Sequence, residues 1–391
     1  MLRSRSLAVP LVLMIFAASA CAGPTVAPNA GPALQALTAR PMRARPVDNT
    51  SILQQDKVQV SIASTVDTTN GDMGPSAIAI VPGKKTLQKG NLVVCNFENS
   101  AGYPGEGTTL EVVNPTTDGV RQFAESSAIE GCDAVALNTA NDVYAGGLTS
   151  GELAVFLPTG KPNTKLKYGS NSPVGAPLSD SNAPPAKNFD PEYMYVGATT
   201  SGGIASIAGG EYGDNVATQV AEGFAVSQGS GPALGPSGLQ FYKDSSNSLY
   251  DLLYIVDGVT NTIVAFTNPT ELIAQDEIVV EPGGETFSCE YPNVTCGVLI
   301  YADSTSYSPL DAPVASALLP NGNLIVANTQ GTPNTLVEVN TITGQILDTR
   351  VVNPSDSTPG IYGLVASGTK DSNTVIYFTD MNTNYVYELE K

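Results

Sequence analysis

From about Lys57 to Lys391 the chain alternates short runs of β-branched and aromatic residues with turns of Gly, Asn, Asp and Pro. Apart from one turn around Pro269 to Gln275, no stretch places apolar residues at helical spacing, so the pattern predicts an all-β chain. One phrase occurs twice, roughly 230 residues apart. Gly90-Asn91-Leu92-Val93-Val94-Cys95-Asn96, followed by Thr109-Leu110-Glu111-Val112-Val113-Asn114, returns as Gly322-Asn323-Leu324-Ile325-Val326-Ala327-Asn328, followed by Thr335-Leu336-Val337-Glu338-Val339-Asn340. A strand, turn, strand unit of this size cannot bury its own apolar faces and has to stack on copies of itself.

First strands of successive units are predicted at Ala77 to Val81, Ala134 to Leu137, somewhere before Met194, Leu239 to Phe241, Ala315 to Leu319 and Gly363 to Ala366. Six units average about 56 residues, more than the usual propeller repeat, and the surplus is assigned to insertions at Gly169 to Asn188 and Cys289 to Pro309. The expected fold is therefore a six-bladed β-propeller. Five or seven blades stay open, because the third unit shows no first strand. The last unit ends the chain after its third strand. Lys57 to Thr65, with Val58, Val60 and Ile62 alternating onto one face, is predicted to supply the missing outer strand and close the ring.

Two units carry a more specific signature. Leu253-Tyr254-Ile255-Val256-Asp257-Gly258, followed by Asn261-Thr262-Ile263-Val264-Ala265-Phe266, resembles the NHL repeat, in which a hydrophobic strand, Asp, a short turn with Asn and a second strand follow one another. Ile376-Tyr377-Phe378-Thr379-Asp380 with Asn384-Tyr385-Val386-Tyr387 is similar. Elsewhere the Asp position holds Asn96, Gly146, Gly197 or Asn328, and Thr262 and Tyr385 replace the Arg usual after the turn Asn. The resemblance implies a six-bladed propeller. Because that fold serves binding proteins and hydrolases alike, it implies no function by itself.

Residues 1–21 form a separate module. Arg3 and Arg5 precede an apolar run from Leu7 to Ala20, which as a helix would span only ~21 Å of a ~30 Å bilayer core, so it reads as an export signal. Ala18-Ser19-Ala20-Cys21 resembles the lipobox of bacterial lipoproteins, with Ala18 where that motif usually has Leu. The resemblance implies a lipid on Cys21 and anchoring in the cell envelope, facing the periplasm or the exterior. Plain cleavage after Ala20 and an uncleaved anchor are the alternatives. Residues 22–56, with Pro24, Pro28, Pro32, Pro41 and Pro46, have linker composition, and a tether of this kind reaches on the order of 60 to 100 Å. The folded domain is then 57–391.

The chain has 37 acidic and 18 basic residues, a net charge of −19, with only 14% charged residues and neither His nor Trp. Such a field repels phosphate backbones, so nucleic acid is excluded as a partner. A surface of Ser, Thr, Asn and Gly suits a secreted protein, and it would also suit an acid habitat, where carboxylates are neutral. Without His, serine-triad catalysis and most zinc chemistry are excluded. Four cysteines follow Cys21. Cys289 and Cys296 bracket a short turn that a disulfide can close, and Cys95 and Cys132 form the second expected pair, with two buried free thiols as its alternative.

Alignment of the units singles out Asn96, Asp257, Asn328 and Asp380, each just after a second strand and so at one end of the ring. Convergent Asp and Asn oxygens are what Ca²⁺ requires, and the lactonase propellers, to which this fold is similar, hold calcium in their channel. Glu98 is a poor match for their early metal-ligating Glu. The same residues serve equally as turn caps. The reading is a monomeric binding or interaction module for an unknown protein or small-molecule ligand, with no catalytic residue, metal or cofactor. A calcium-dependent hydrolase with the ion at Asp257 and Asp380 is the alternative.

Overall fold

The second strands of the repeated phrase are apolar on both faces because each lies between two neighbouring blades. Leu92 and Val94 pack with Ile62, Ala63 and Val386 on one side, while Val93 and Cys95 pack with Ile129, Val135 and Phe156 on the other. Among the described residues the core is six such clusters, one at each blade junction. The computed structural model describes residues 47–391 apart from 84–85, 188–189, 211–212, 228–231, 305–306 and 332. The signal segment, Cys21 and the tether as far as residue 46 lie outside the described residues.

The chain is a six-bladed β-propeller. A short helix α1 (Ile52–Gln55) precedes β1 (Val58–Ser64). Blade one is β2 (Met73–Ile80), β3 (Leu92–Glu98), β4 (Thr109–Asn114) and β5 (Gly119–Glu125), and blade two is β6 (Cys132–Leu137), β7 (Val143–Gly147), β8 (Leu153–Phe156) and β9 (Pro162–Tyr168). Blade three holds β10 (Pro177–Ala183), β11 (Glu192–Ala198), β12 (Gly203–Gly209) and β13 (Ala217–Glu222). Blade four begins with β14 (Pro236–Tyr242), β15 (Leu252–Asp257) and β16 (Thr262–Thr267). The chain then leaves it for a hairpin, β17 (Ile278–Val280) and β18 (Phe287–Cys289), and returns as β19 (Gly297–Ala302). Blade five is β20 (Pro313–Leu318), β21 (Leu324–Asn328), β22 (Thr335–Val339) and β23 (Ile346–Val351). Blade six is β24 (Leu364–Ser367), β25 (Val375–Asp380), β26 (Tyr385–Glu390) and β1. The innermost strands β2, β6, β10, β14, β20 and β24 touch in that order, and β24 touches β2.

The N-terminal strand closes the ring, antiparallel to β26 from Val58↔Glu390 to Ser64↔Tyr385. A bulge between Ser61 and Ala63 breaks the expected alternation, so Ile62 and Ala63 are buried while Val58 and Val60 stay exposed on the rim. Three other expectations are corrected. The missing first strand of unit three is β10, inside the segment read as an insertion; its sequence, Pro-Leu-Ser-Asp-Ser-Asn-Ala, is polar because it lines the central channel. Likewise, the segment Cys289 to Pro309 contains β19, the outer strand of blade four. The true insertion is the β17–β18 hairpin, which lengthens blade three by pairing β17 parallel to β13. Finally, the folded body starts before Lys57: Ile52 and Leu53 are fully buried among residues of blades five and six.

Both expected cysteine pairs are joined, as befits a chain that matures in an oxidising environment. Cys95–Cys132 staples β3 of blade one to the start of β6 in blade two, and Cys289–Cys296 ties the added hairpin to the outer strand of blade four. In the chain-entropy model the first closes the longer loop and stabilises by about 4 kcal/mol, the second by about 2.5 kcal/mol. No helix among the described residues is long and apolar enough to cross a membrane.

Candidate functional site

Innermost strands converge on the ring axis, where there is no room for the large apolar residues of the blade junctions. They carry small and polar side chains instead. Around the axis blade is bonded to blade: Ser76 Oγ donates to the Cys132 carbonyl (2.6 Å), Leu239 N–H to Ser179 Oγ (3.1 Å), Gln240 Nε2 to the Ser316 carbonyl (2.8 Å), and Thr379 Oγ1, from the second strand of blade six, to the Ser76 carbonyl (2.7 Å). Closure at the last junction is tight, since a Cβ on Gly363 would lie 2.1 Å from the Ser76 carbonyl oxygen. The channel inside this belt is narrow, about 50 Å³, and Asp133 of β6 and Asp180 of β10 line it. Burial holds both carboxyls well above the usual carboxylate range.

At one face the channel opens into a cavity of about 740 Å³, built from the turns that follow second strands and from the segments leading into first strands. Phe97, Glu98, Leu148, Val314, Tyr362 and Met381 are among its walls, and Asp133 lies at the junction, lining both spaces. Cys132 fixes the root of Asp133 through the disulfide to blade one. Burial raises Glu98 as well. Tyr362 is pushed up to about 12, first by burial and then by the charges of Asp133 and Glu98, so the three groups face one another electrically. No Lys or Arg is among the described residues that line the cavity.

Asn96, Asp257, Asn328 and Asp380 do sit at the cavity end of their second strands, but they are not brought together and none lines the cavity. All four are buried within their own blades. Asp257 accepts from the Val259 N–H (2.9 Å) and Thr260 Oγ1 (2.8 Å), and Asp380 accepts from the Asn382 N–H (2.9 Å) and from Asn353 Nδ2. Asn328 Nδ2 donates to the Pro309 carbonyl (2.9 Å) and Thr335 Oγ1 (3.0 Å), while its Oδ1 accepts from the Asp311 N–H (3.0 Å). Asn96 Nδ2 donates to the Thr65 carbonyl (2.9 Å) and Thr109 Oγ1 (3.1 Å). These bonds tie turns and neighbouring segments to the strand ends. The next residues along, Phe97 and Glu98 after Asn96, and Met381 and Asn382 after Asp380, are the ones that reach the cavity.

Asp133, Asp180 and Tyr362 were missed by the sequence reading. For Asp133 and Tyr362 the signal was positional, since visible first strands begin one residue after an axis residue: Asp133 precedes Ala134, Val314 precedes Ala315 and Tyr362 precedes Gly363; Asp180, on the strand that the pattern does not show, left none. Lining up those starts gathers the channel rim.

No protein-family model matches the chain, and no curated protein matches it. Among solved structures it is similar to a gluconolactonase from Xanthomonas campestris, with a TM-score of 0.55 and 10% identity over 90% of this chain and 97% of that one. A putative gluconolactonase gives a TM-score of 0.50 and 9% identity over 85% and 91%. Virginiamycin B lyase from Staphylococcus aureus gives a TM-score of 0.47 and 12% identity over 85% and 98%. At such identities the likeness is one of fold.

Proposed function

We propose that the protein is an exported propeller of the cell envelope that binds a small ligand in the cavity at the channel mouth. The observation that supports this reading is the cavity itself. Its volume falls within the ~300–1,000 Å³ range of ligand sites, and its walls combine apolar side chains with hydroxyl, amide and carboxyl groups. Hydrolysis has no such support: the likeness to gluconolactonases is of fold alone, and the two Asp residues aligned across the units, Asp257 and Asp380, cap turns.

The test is a fragment library screened against the wild type and Ala233→Trp, a substitution on the cavity wall. Ligands should bind the wild type and be lost in the tryptophan variant. If no wild-type binder is lost, the cavity is not the binding site.

The lipobox-like Cys21 motif supports anchoring by lipid, with the NHL-like propeller held away from the surface on its Pro-rich tether. Cys21→Ser should release the protein from the membrane fraction with its melting temperature unchanged. Equal membrane association of the two forms would exclude a lipid anchor at this residue.

A further inference from the structure

We infer that the mouth cavity selects an organic cation, its ammonium group seated between Asp133 and Glu98 and its apolar body against Phe97, Leu148, Val314 and Met381. The inference rests on the binding reading above and names the class of ligand. Its first ground is charge. Two carboxyl groups and the Tyr362 hydroxyl line the cavity, both carboxyls acting on Tyr362, and no basic side chain among the described lining residues is there to balance them. The net charge of −19 on the chain attracts cations over a distance as well.

A second, independent ground lies just below. Asp180 is 8% exposed, and neither of its carboxylate oxygens accepts a well-formed hydrogen bond, although the N–H groups of Ala136 and of Asp180 itself are close enough to favour its charge a little. Burial penalises the ionised form of this carboxyl as it does that of Asp133, and a positive charge arriving at the channel mouth favours that form. The channel joins the two positions.

The cavity's shape separates an organic cation from a metal ion. A hard divalent cation needs six to eight oxygens at about 2.0–2.6 Å. Here no group of three or more Asp, Glu, His or Cys suited to a metal occurs among the described residues, and much of the wall is hydrocarbon. An alkylammonium needs only one or two anionic acceptors for its N–H groups and an apolar surface for its carbon chain, with Phe97 and Tyr362 adding ring faces that attract cations.

Calorimetry on the mature full-length protein tests this with 2-phenylethylamine, its neutral isostere 2-phenylethanol, and calcium chloride. The amine is expected to bind at least ten-fold more tightly than the alcohol. Asp133→Asn should weaken the amine at least ten-fold, about 1.4 kcal/mol, without changing the alcohol. Glu98→Gln, in the cavity wall but not in the channel, should act in the same direction and keeps the test open if Asp133→Asn does not fold. Asp214→Asn, away from the cavity, should have no effect. Equal binding of amine and alcohol, amine binding indifferent to both carboxyl substitutions, or calcium binding that depends on Asp133 would each overturn the inference. Fragments that enter the cavity with no preference for charge would overturn it while leaving the binding reading intact; no cavity binding at all removes both.

Discussion

A chain shortened to begin at Asp67 is expected to aggregate, whereas one lacking only residues 22–46 should melt at the wild-type temperature. The shorter chain loses β1 and so leaves the edge of β26 unpaired, a template for pairing with another chain. It also uncovers the junction of blades six and one, where Ile62 and Ala63 are buried against Ile78, Leu92 and Val386. The preceding turn matters equally. Ile52 and Leu53 are fully buried, and each contributes roughly 1.5–3 kcal/mol by leaving water. Glu338, fully buried in β22, accepts from Ser51 Oγ (2.8 Å), the Leu53 N–H (2.9 Å) and Asn323 Nδ2 (3.1 Å). Deletion strips it of two of those donors, and a stranded buried carboxylate costs about 3–5 kcal/mol. Size-exclusion chromatography and thermal melting decide the matter. A monomeric Asp67 chain with wild-type stability would mean that the first 66 residues are dispensable to the fold.

The helix α1 illustrates what the sequence could not announce. Ser51-Ile52-Leu53-Gln54-Gln55 is too short for a helical period to emerge, and it follows a proline-rich stretch, so composition assigned it to the tether. Its hold on the propeller comes from a buried glutamate nearly 290 residues away, an interaction with no local trace. The blades were legible for the opposite reason. Their second strands are squeezed between neighbours, and burial on both faces writes uninterrupted apolar runs such as Leu92 to Cys95 and Leu324 to Ala327. Innermost strands face the axis and lose that signature. Hence β10 passed for an insertion, and the site residues on β6 and β10 passed unnoticed. Asn96 and Asp380 marked the right turns, but the pleat of the strand sent them into the blade and their successors to the cavity. Both disulfides were readable, Cys289–Cys296 from its separation of 7 residues and Cys95–Cys132 because β3 and β6 belong to adjacent blades.

Stability is expected to fall as pH rises, with the melting temperature at pH 5 above that at pH 8 by at least about 5 °C. Burial lifts Asp56 and Asp251 to about 6. Asp380 also rises to about 6, through burial and then its neighbour Asp356. Glu111 is carried to about 9, mainly by burial and then by its hydrogen bond with Asp67 and that group's charge. Asp133 and Asp180 lie well above the carboxylate range for the same leading reason, burial. Each raised carboxyl binds a proton more firmly in the native state than in the unfolded chain. The stability it confers is complete below about pH 4 and is lost as pH climbs through the native value, near 6 for three of these groups and near 9 for Glu111. Asp67 opposes the trend. Burial pushes it up, but hydrogen bonds from Glu111 and from the N–H groups of Asn70 and Thr69 outweigh that and hold it low, so its contribution is lost as pH falls below about 4. The optimum should therefore lie in mild acid. Asp56 offers the sharpest check, because it is fully buried and neither of its oxygens accepts a hydrogen bond. Asp56→Asn removes its ionisation while keeping its size, and should raise the melting temperature at pH 8 more than at pH 5. A wild-type melting temperature that climbs from pH 5 to pH 8 would show that the buried carboxyls do not govern the stability of this propeller.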